Sequence, residues 1–184
     1  MATLTGSTIA SSYEQLLSLP DGGGDTTTLV AVTDGDAGTT FAMQLSTTTI
    51  CIDNPTTSSS TQGGILRLQS DDGAVMASGH RLGVIEFGGA EDTSNTITTG
   101  ARIEALADAT WSASENGADL VFYTTDGNAS QSEIMRLTAD SGMTTGEDDT
   151  GVDVRFYSAT TNEALHYDSS EDELGLLLTT KLKF

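Results

Sequence analysis

Short apolar segments recur along the chain, punctuated by Gly, Asp, Asn and Ser, and in most of them apolar and polar residues alternate. A period of two puts successive side chains on opposite faces of an extended strand. The pattern predicts strands at TTLVAVT (27–33), TTFAMQL (39–45) and TTTICID (47–53), with TDGDAG as an Asp-Gly turn joining the first two into a hairpin. It predicts further strands at ILRLQS (65–70), RLGVIEFG (81–88), ARIEALA (101–107), ADLVFYTT (118–125) and IMRLTA (134–139). VDVRFYS (152–158), EALHYD (163–168) and LGLLLTTKLKF (174–184) complete the series. One helix interrupts it. In IASSYEQLLSLPDGGG, Ser11 and Glu14 have capping-box spacing, YEQLL coils for about two turns, and Pro20 with Gly22, Gly23 and Gly24 stops it. Many short strands with turn signals between them predict an all-β chain.

The alternation also assigns faces. Leu66 and Leu68 look away from Arg67, and Met135 and Leu137 look away from Arg136. Arg102 and Glu104 lie together, opposite Ile103 and Ala105, while Glu86 opposes Ile85 and Phe87. All five arginines occupy strand-like segments, whereas both lysines fall in the last four residues. Arginine beside abundant acids on neighbouring strands predicts cross-strand ion pairs. Such pairs contribute roughly 0.2–1 kcal/mol each and help to fix register.

Composition narrows the picture. The 184 residues include 27 acidic and 7 basic ones, a formal net charge of -20. Such a surface repels phosphates, so nucleic acid and anionic membranes are not expected partners. Hydrophobic residues are 36% and aromatics 5%, too few large side chains for a thick single-chain core. The expected solution is an elongated shape or burial shared between subunits. MATLTGSTIA has no basic region or continuous apolar run, so no signal peptide is predicted, and no stretch approaches the ~20 apolar residues of a membrane span.

Candidate chemistry is sparse. Cys51 is the single cysteine, and its place in TTICID predicts a small apolar packing residue. With only His80 and His166, no recognisable zinc-ligand spacing is present. Asp34 and Asp36, the run Glu147-Asp148-Asp149, and DSSEDE (168–173) offer oxygen ligands to calcium, but none forms an EF-hand loop and all read better as solvated turns. Glu86 and Glu104 would be a glycosidase-like carboxylate pair only on neighbouring strands, and an Arg-Glu ladder explains them as well. Trp111 is either a sugar-stacking contact or a loop anchor. No catalytic residue and no cofactor is predicted.

GHRLGVIEFGGAEDTSN, GARIEALADATWSASENGADLVFYTTDG and SEIMRLTADSG, between Gly79 and Gly142, together resemble a module of bacteriophage tail fibres and related virion appendages. The matching pattern runs Gly-x-Leu-Gly-x-Ile-x-Phe, Gly-Ala-x-Ile, Thr-Trp, Ala-Asp-Leu-x-Phe-x-Thr-Thr, then Met-Arg-Leu-Thr before a Gly turn. The flanking stretches, from TIASSYEQLLSLPDGGG to TICID and from VDVRFYS to LGLL, also look like pieces of marine-phage structural proteins. The resemblance implies a non-enzymatic homotrimer: elongated β-sandwich or β-prism-like, or interwoven, fibre modules with the one short N-terminal helix. It implies a place in the virion, on the tail or capsid surface, with other phage tail or capsid proteins as partners. Threefold packing would pool scarce apolar residues along a common axis and hide strand edges. The expected organisation is an attachment segment at 1–24, a hairpin region at 25–62, a central fibre module at 63–150 and a C-terminal β segment at 151–184. Arg67, Glu86, Arg102, Glu104 and Arg136 are the expected assembly residues. Tyr13, Leu16 and Leu17 are the expected particle contacts. The alternatives are a trimeric capsid decoration protein and, from another class, a module binding host-surface glycan through Trp111.

Overall fold

In a computed structural model, residues 17–19, 27–35, 37–127, 129–140, 142–147, 150–177 and 181 are described. They form eleven strands in three antiparallel sheets, with no helix among them. The chain divides into two compact units, Met1–Arg67 and Leu68–Phe184.

The first unit carries β1 (Val30–Thr33), β2 (Thr40–Leu45) and β3 (Ile50–Ile52), in the order β1-β2-β3. The predicted hairpin is present, with Val30 opposite Leu45 and Thr33 opposite Thr40. Asp34 builds its turn: the Thr39 amide donates to the Asp34 carboxylate at 3.0 Å and the Ala37 amide to its carbonyl at 3.0 Å. The predicted helix falls mainly on residues 11–16, outside those described. Its described end is not helical, because Ser18 and Thr33 exchange backbone hydrogen bonds of 2.8 and 3.0 Å as an antiparallel bridge. Pairing to the edge of β1 satisfies these backbone groups, which a helix ending at Pro20 would have left to water.

ILRLQS (65–70) belongs to no sheet, and all six of its residues are exposed. Alternation marks a strand only where an edge is there to pair with, and here the boundary between the two units falls inside the segment.

The second unit carries two sheets. β4 (Arg81–Ala90), β5 (Ile97–Ala107), β6 (Ala118–Thr125), β7 (Gln131–Leu137) and β8 (Met143–Thr145) form a meander in that order. β9 (Val154–Tyr157), β10 (Ala164–Asp168) and β11 (Glu173–Leu177) form the third sheet, ordered β11-β10-β9. β8 had no forecast, since MTT is too short to show a period. The pairing of β4 with β5 shifts at Leu82 of β4 and at Gly100 of β5, opposite Phe87/Gly88, and that of β6 with β7 shifts at Phe122/Tyr123.

This register sorts the side chains as the alternation predicts. Ile85, Ile103, Phe122 and Met135 lie in one cross-strand row, and Ala105, Leu120, Leu137 and Met143 in another on the same face. Glu104, Val121 and Arg136 form a row on the opposite face. The burial of the two faces is the reverse of a usual half-solvated sheet. Val121 is 0% exposed and Glu104 4%, yet Phe87 is 55% exposed and Met143 60%.

The near end of the apolar face is partly covered by Leu68. A Cβ built on Gly83 would lie 2.6 Å from the Leu68 Cβ, so Gly83 is what lets this segment approach β4. Gly83→Ala is therefore expected to destabilise the protein by about 1–3 kcal/mol, the usual range for overpacking. Chemical denaturation measures it. The loss should shrink in the double variant with Leu68→Ala, because the two sites share one contact.

Candidate functional site

The charged face of the five-stranded sheet is organised around two acid centres. Glu104, in the middle of β5, receives Arg81 from the edge strand β4, with Arg81 Nη2 2.7 Å from Glu104 Oε2. Arg102, two residues before Glu104 and so on the same face, places Nε 3.3 Å from the same oxygen. These Oε2 contacts are ion pairs by distance but lack hydrogen-bond directionality, so charge compensates the carboxylate more than directed bonds do. Arg102 Nη2 approaches Glu104 Oε1 at 3.4 Å, and Nη1 donates to Gln131 Oε1 on β7. The guanidinium carbon sits 3.9 Å from the centroid of the Tyr123 ring, a cation-π contact from β5 to β6. Burial and the neighbouring Glu104 push the Tyr123 phenol above its ordinary pKa.

Arg136 is the second centre. Its Nε and Nη2 bind both Glu133 oxygens at 2.9 and 2.5 Å, a bidentate grip, while Nη1 reaches Asp119 on β6 at 2.7 Å. Asp119 also accepts the Ala139 amide at 2.9 Å, tying the end of β7 back to β6. Glu133 foremost, then Asp119, raises the Arg136 pKa against the opposing effect of its partial burial. Asp119 itself is held below the ordinary carboxylate value: burial works against this, but the Ala139 amide and the Arg136 guanidinium prevail. Between the two centres lies Val121, in register with Glu104 on one side and Arg136 on the other. Val121 itself is 0% exposed.

The predicted assembly residues are thus placed unevenly. Glu104, Arg102 and Arg136 belong to the network, and Arg81, Asp119, Glu133 and Tyr123 join it without having been singled out. Their strand positions were readable, but their partnership depends on register. Glu86 stands in register with Arg102, but that guanidinium turns to Glu104 instead, and Glu86 is exposed without an ion pair among the described residues. Arg67 lies on the exposed 65–70 segment and likewise forms none. Within the network three arginines are paired with three acids.

Trp111 is half-buried; its indole N–H donates to the Gly117 carbonyl at 2.9 Å and its amide to the Met76 carbonyl at 2.9 Å, the geometry of a loop anchor. Tyr13 and Leu16 lie outside the described residues, and Leu17 is exposed beside the Ser18 bridge. Asp36, Asp148 and Asp149 are also outside them. Comparison with protein-family models, curated proteins and solved structures finds no match to this chain.

The Asp119 shift gives a pH dependence. A carboxyl whose folded-state pKa lies below its unfolded value contributes stability above the unfolded value and loses it as pH falls through the folded one. The unfolded reference is 3.8, so this contribution is intact near neutrality and is lost as pH drops below about 4. Asp119→Asn is expected to lower the melting temperature at pH 7 and to lose that deficit progressively as pH falls below about 4, measured by calorimetry across the acid range.

Proposed function

We propose that the chain is a non-enzymatic structural subunit that completes its core by homotrimerisation, in a bacteriophage tail fibre, spike or similar particle appendage. The observation that carries this reading is the uncovered apolar face of the five-stranded sheet. Ile85, Phe87, Leu120, Leu137 and Met143 are all exposed there. No charged residue shares their cross-strand rows. An open apolar patch that extends across a sheet marks an interaction surface.

Charge selects the occupant. Two chains of net charge -20 repel through most of their surfaces, and a neutral face is where copies approach at least electrostatic cost. The opposite face is already satisfied internally by its ion pairs, so it needs no partner. The resemblance of the Gly79–Gly142 segment to tail-fibre modules supports a virion setting and threefold symmetry. Capsid decoration is the same physics at another place on the particle.

Light scattering on the purified chain should give about three times its 19.1 kDa mass. Phe87→Asp, at an exposed position, should dissociate the assembly while strand content by circular dichroism is kept. A parent protein that stays monomeric at working concentration overturns the reading. A glycan array tests the binding-module alternative, which requires binding that is lost in Trp111→Ala.

A further inference from the structure

We infer that the third sheet holds a divalent transition-metal site built from Asp153, His166 and Asp168. His166 and Asp168 are two apart on β10 and so share a face, and Asp153 lies one residue beyond the Val154–Tyr167 pair, which brings it opposite Asp168. One ligand atom from each residue lies within 4.8 Å of the others. A cation bound at about 2.0–2.4 Å spans ligand pairs up to about 4.8 Å apart, so the three groups are within reach of one ion.

The surroundings are those of held ligands. The amide and hydroxyl of Ser169 both donate to Asp153 Oδ1 at 3.1 Å, which leaves Oδ2 facing the histidine. The amide and hydroxyl of Ser170 donate to Asp168 Oδ1 at 3.1 and 2.7 Å. Orientation of each carboxylate through one oxygen is what outer hydrogen bonds do around a bound ion. The imidazole is the independent indication. Its side chain is 9% exposed, and its Nε2 meets Asp153 Oδ2 at 3.4 Å, the long end of the hydrogen-bond range, so the contact is a loose one. A histidine this buried is expected to have a closer partner, and two carboxylates directly across a strand pair repel unless a cation lies between them. Arg155, opposite His166, contacts Asp153 Oδ2 at 3.3 Å with a half-exposed side chain, and no ion pair joins it to Asp168 among the described residues.

Imidazole nitrogen with two carboxylates suits Zn²⁺ or Mn²⁺ better than Ca²⁺, whose ligands are oxygens. The ion would clip β9 to the β10–β11 turn, in a three-stranded sheet whose buried residues are Ala164 and His166. Spacing along the sequence gave no hint of this, because Asp153 meets the His-x-Asp pair only through the strand register.

The test is calorimetric titration of the full chain with Zn²⁺ and with Ca²⁺, with the imidazole proton resonances followed by NMR. The expected result is one Zn²⁺ per chain, a shift of the His166 resonances on binding, and at least tenfold weaker Ca²⁺ binding. Asp168→Asn, at a turn-end position that should still fold, should weaken Zn²⁺ tenfold or more, whereas Arg155→Gln should tighten it by removing a competing cation. No stoichiometric Zn²⁺ binding, unmoved His166 resonances, undiminished binding in Asp168→Asn, or weaker binding in Arg155→Gln would each overturn the assignment.

Discussion

A carboxylate almost wholly removed from water must be compensated, and the second unit is arranged around that requirement. Glu104 sits on β5, one strand in from the edge and 4% exposed, and leaving it unpaired there would cost on the order of several kcal/mol. Arg81 and Arg102 supply the charge, Tyr123 a ring for Arg102 to lie on, and Gln131 a further acceptor across two strands. Strands β4 to β7 therefore each contribute to one network, and a shift of register by one residue would turn its members to the wrong face. Replacement of such a cluster with hydrophobic residues often leaves stability unchanged or improved, so its use here is better sought in specificity.

That arrangement explains the inverted burial of the sheet. Long arginine and glutamate side chains cover their own face with methylenes and paired heads, and Val121 disappears beneath them. On the apolar face Ile85, Phe87, Leu120, Leu137 and Met143 stay exposed, with Leu68 approaching it at Gly83. A chain with 36% hydrophobic residues cannot cover both faces of a five-stranded sheet. It covers the charged one with itself and leaves much of the other exposed.

Much of this was legible in the sequence, for stateable reasons. Alternation located β4 to β7 and β9 to β11 and put Arg136 opposite Met135 and Leu137, because a strand buried on one face leaves a period of two. The same rule misled at ILRLQS, where the period is present and a partner edge is not. The end of the predicted helix was lost to a backbone bridge from Ser18 to Thr33, a tertiary contact that no local propensity encodes. Partners within the ion network were illegible for a related reason. Which acid each arginine meets is decided by pairing, and the bulge at Phe122/Tyr123 alters the count between β6 and β7. Asp153 and His166 are thirteen residues apart and close only because β9 and β10 pair.

The two irregularities in the β4–β5 pairing bear on how such a sheet could grow. β4 is one lateral border of the meander and β8, three residues long, is the other. A border strand bulged at Leu82 and stepped against its neighbour after Phe87 offers a less regular row of backbone groups, and one of three residues offers scarcely any row at all. Sideways addition of strands from another chain is obstructed at both ends. The sheet is thereby biased toward stacking and away from ribbon-like extension, which separates a finite assembly from an open-ended fibril.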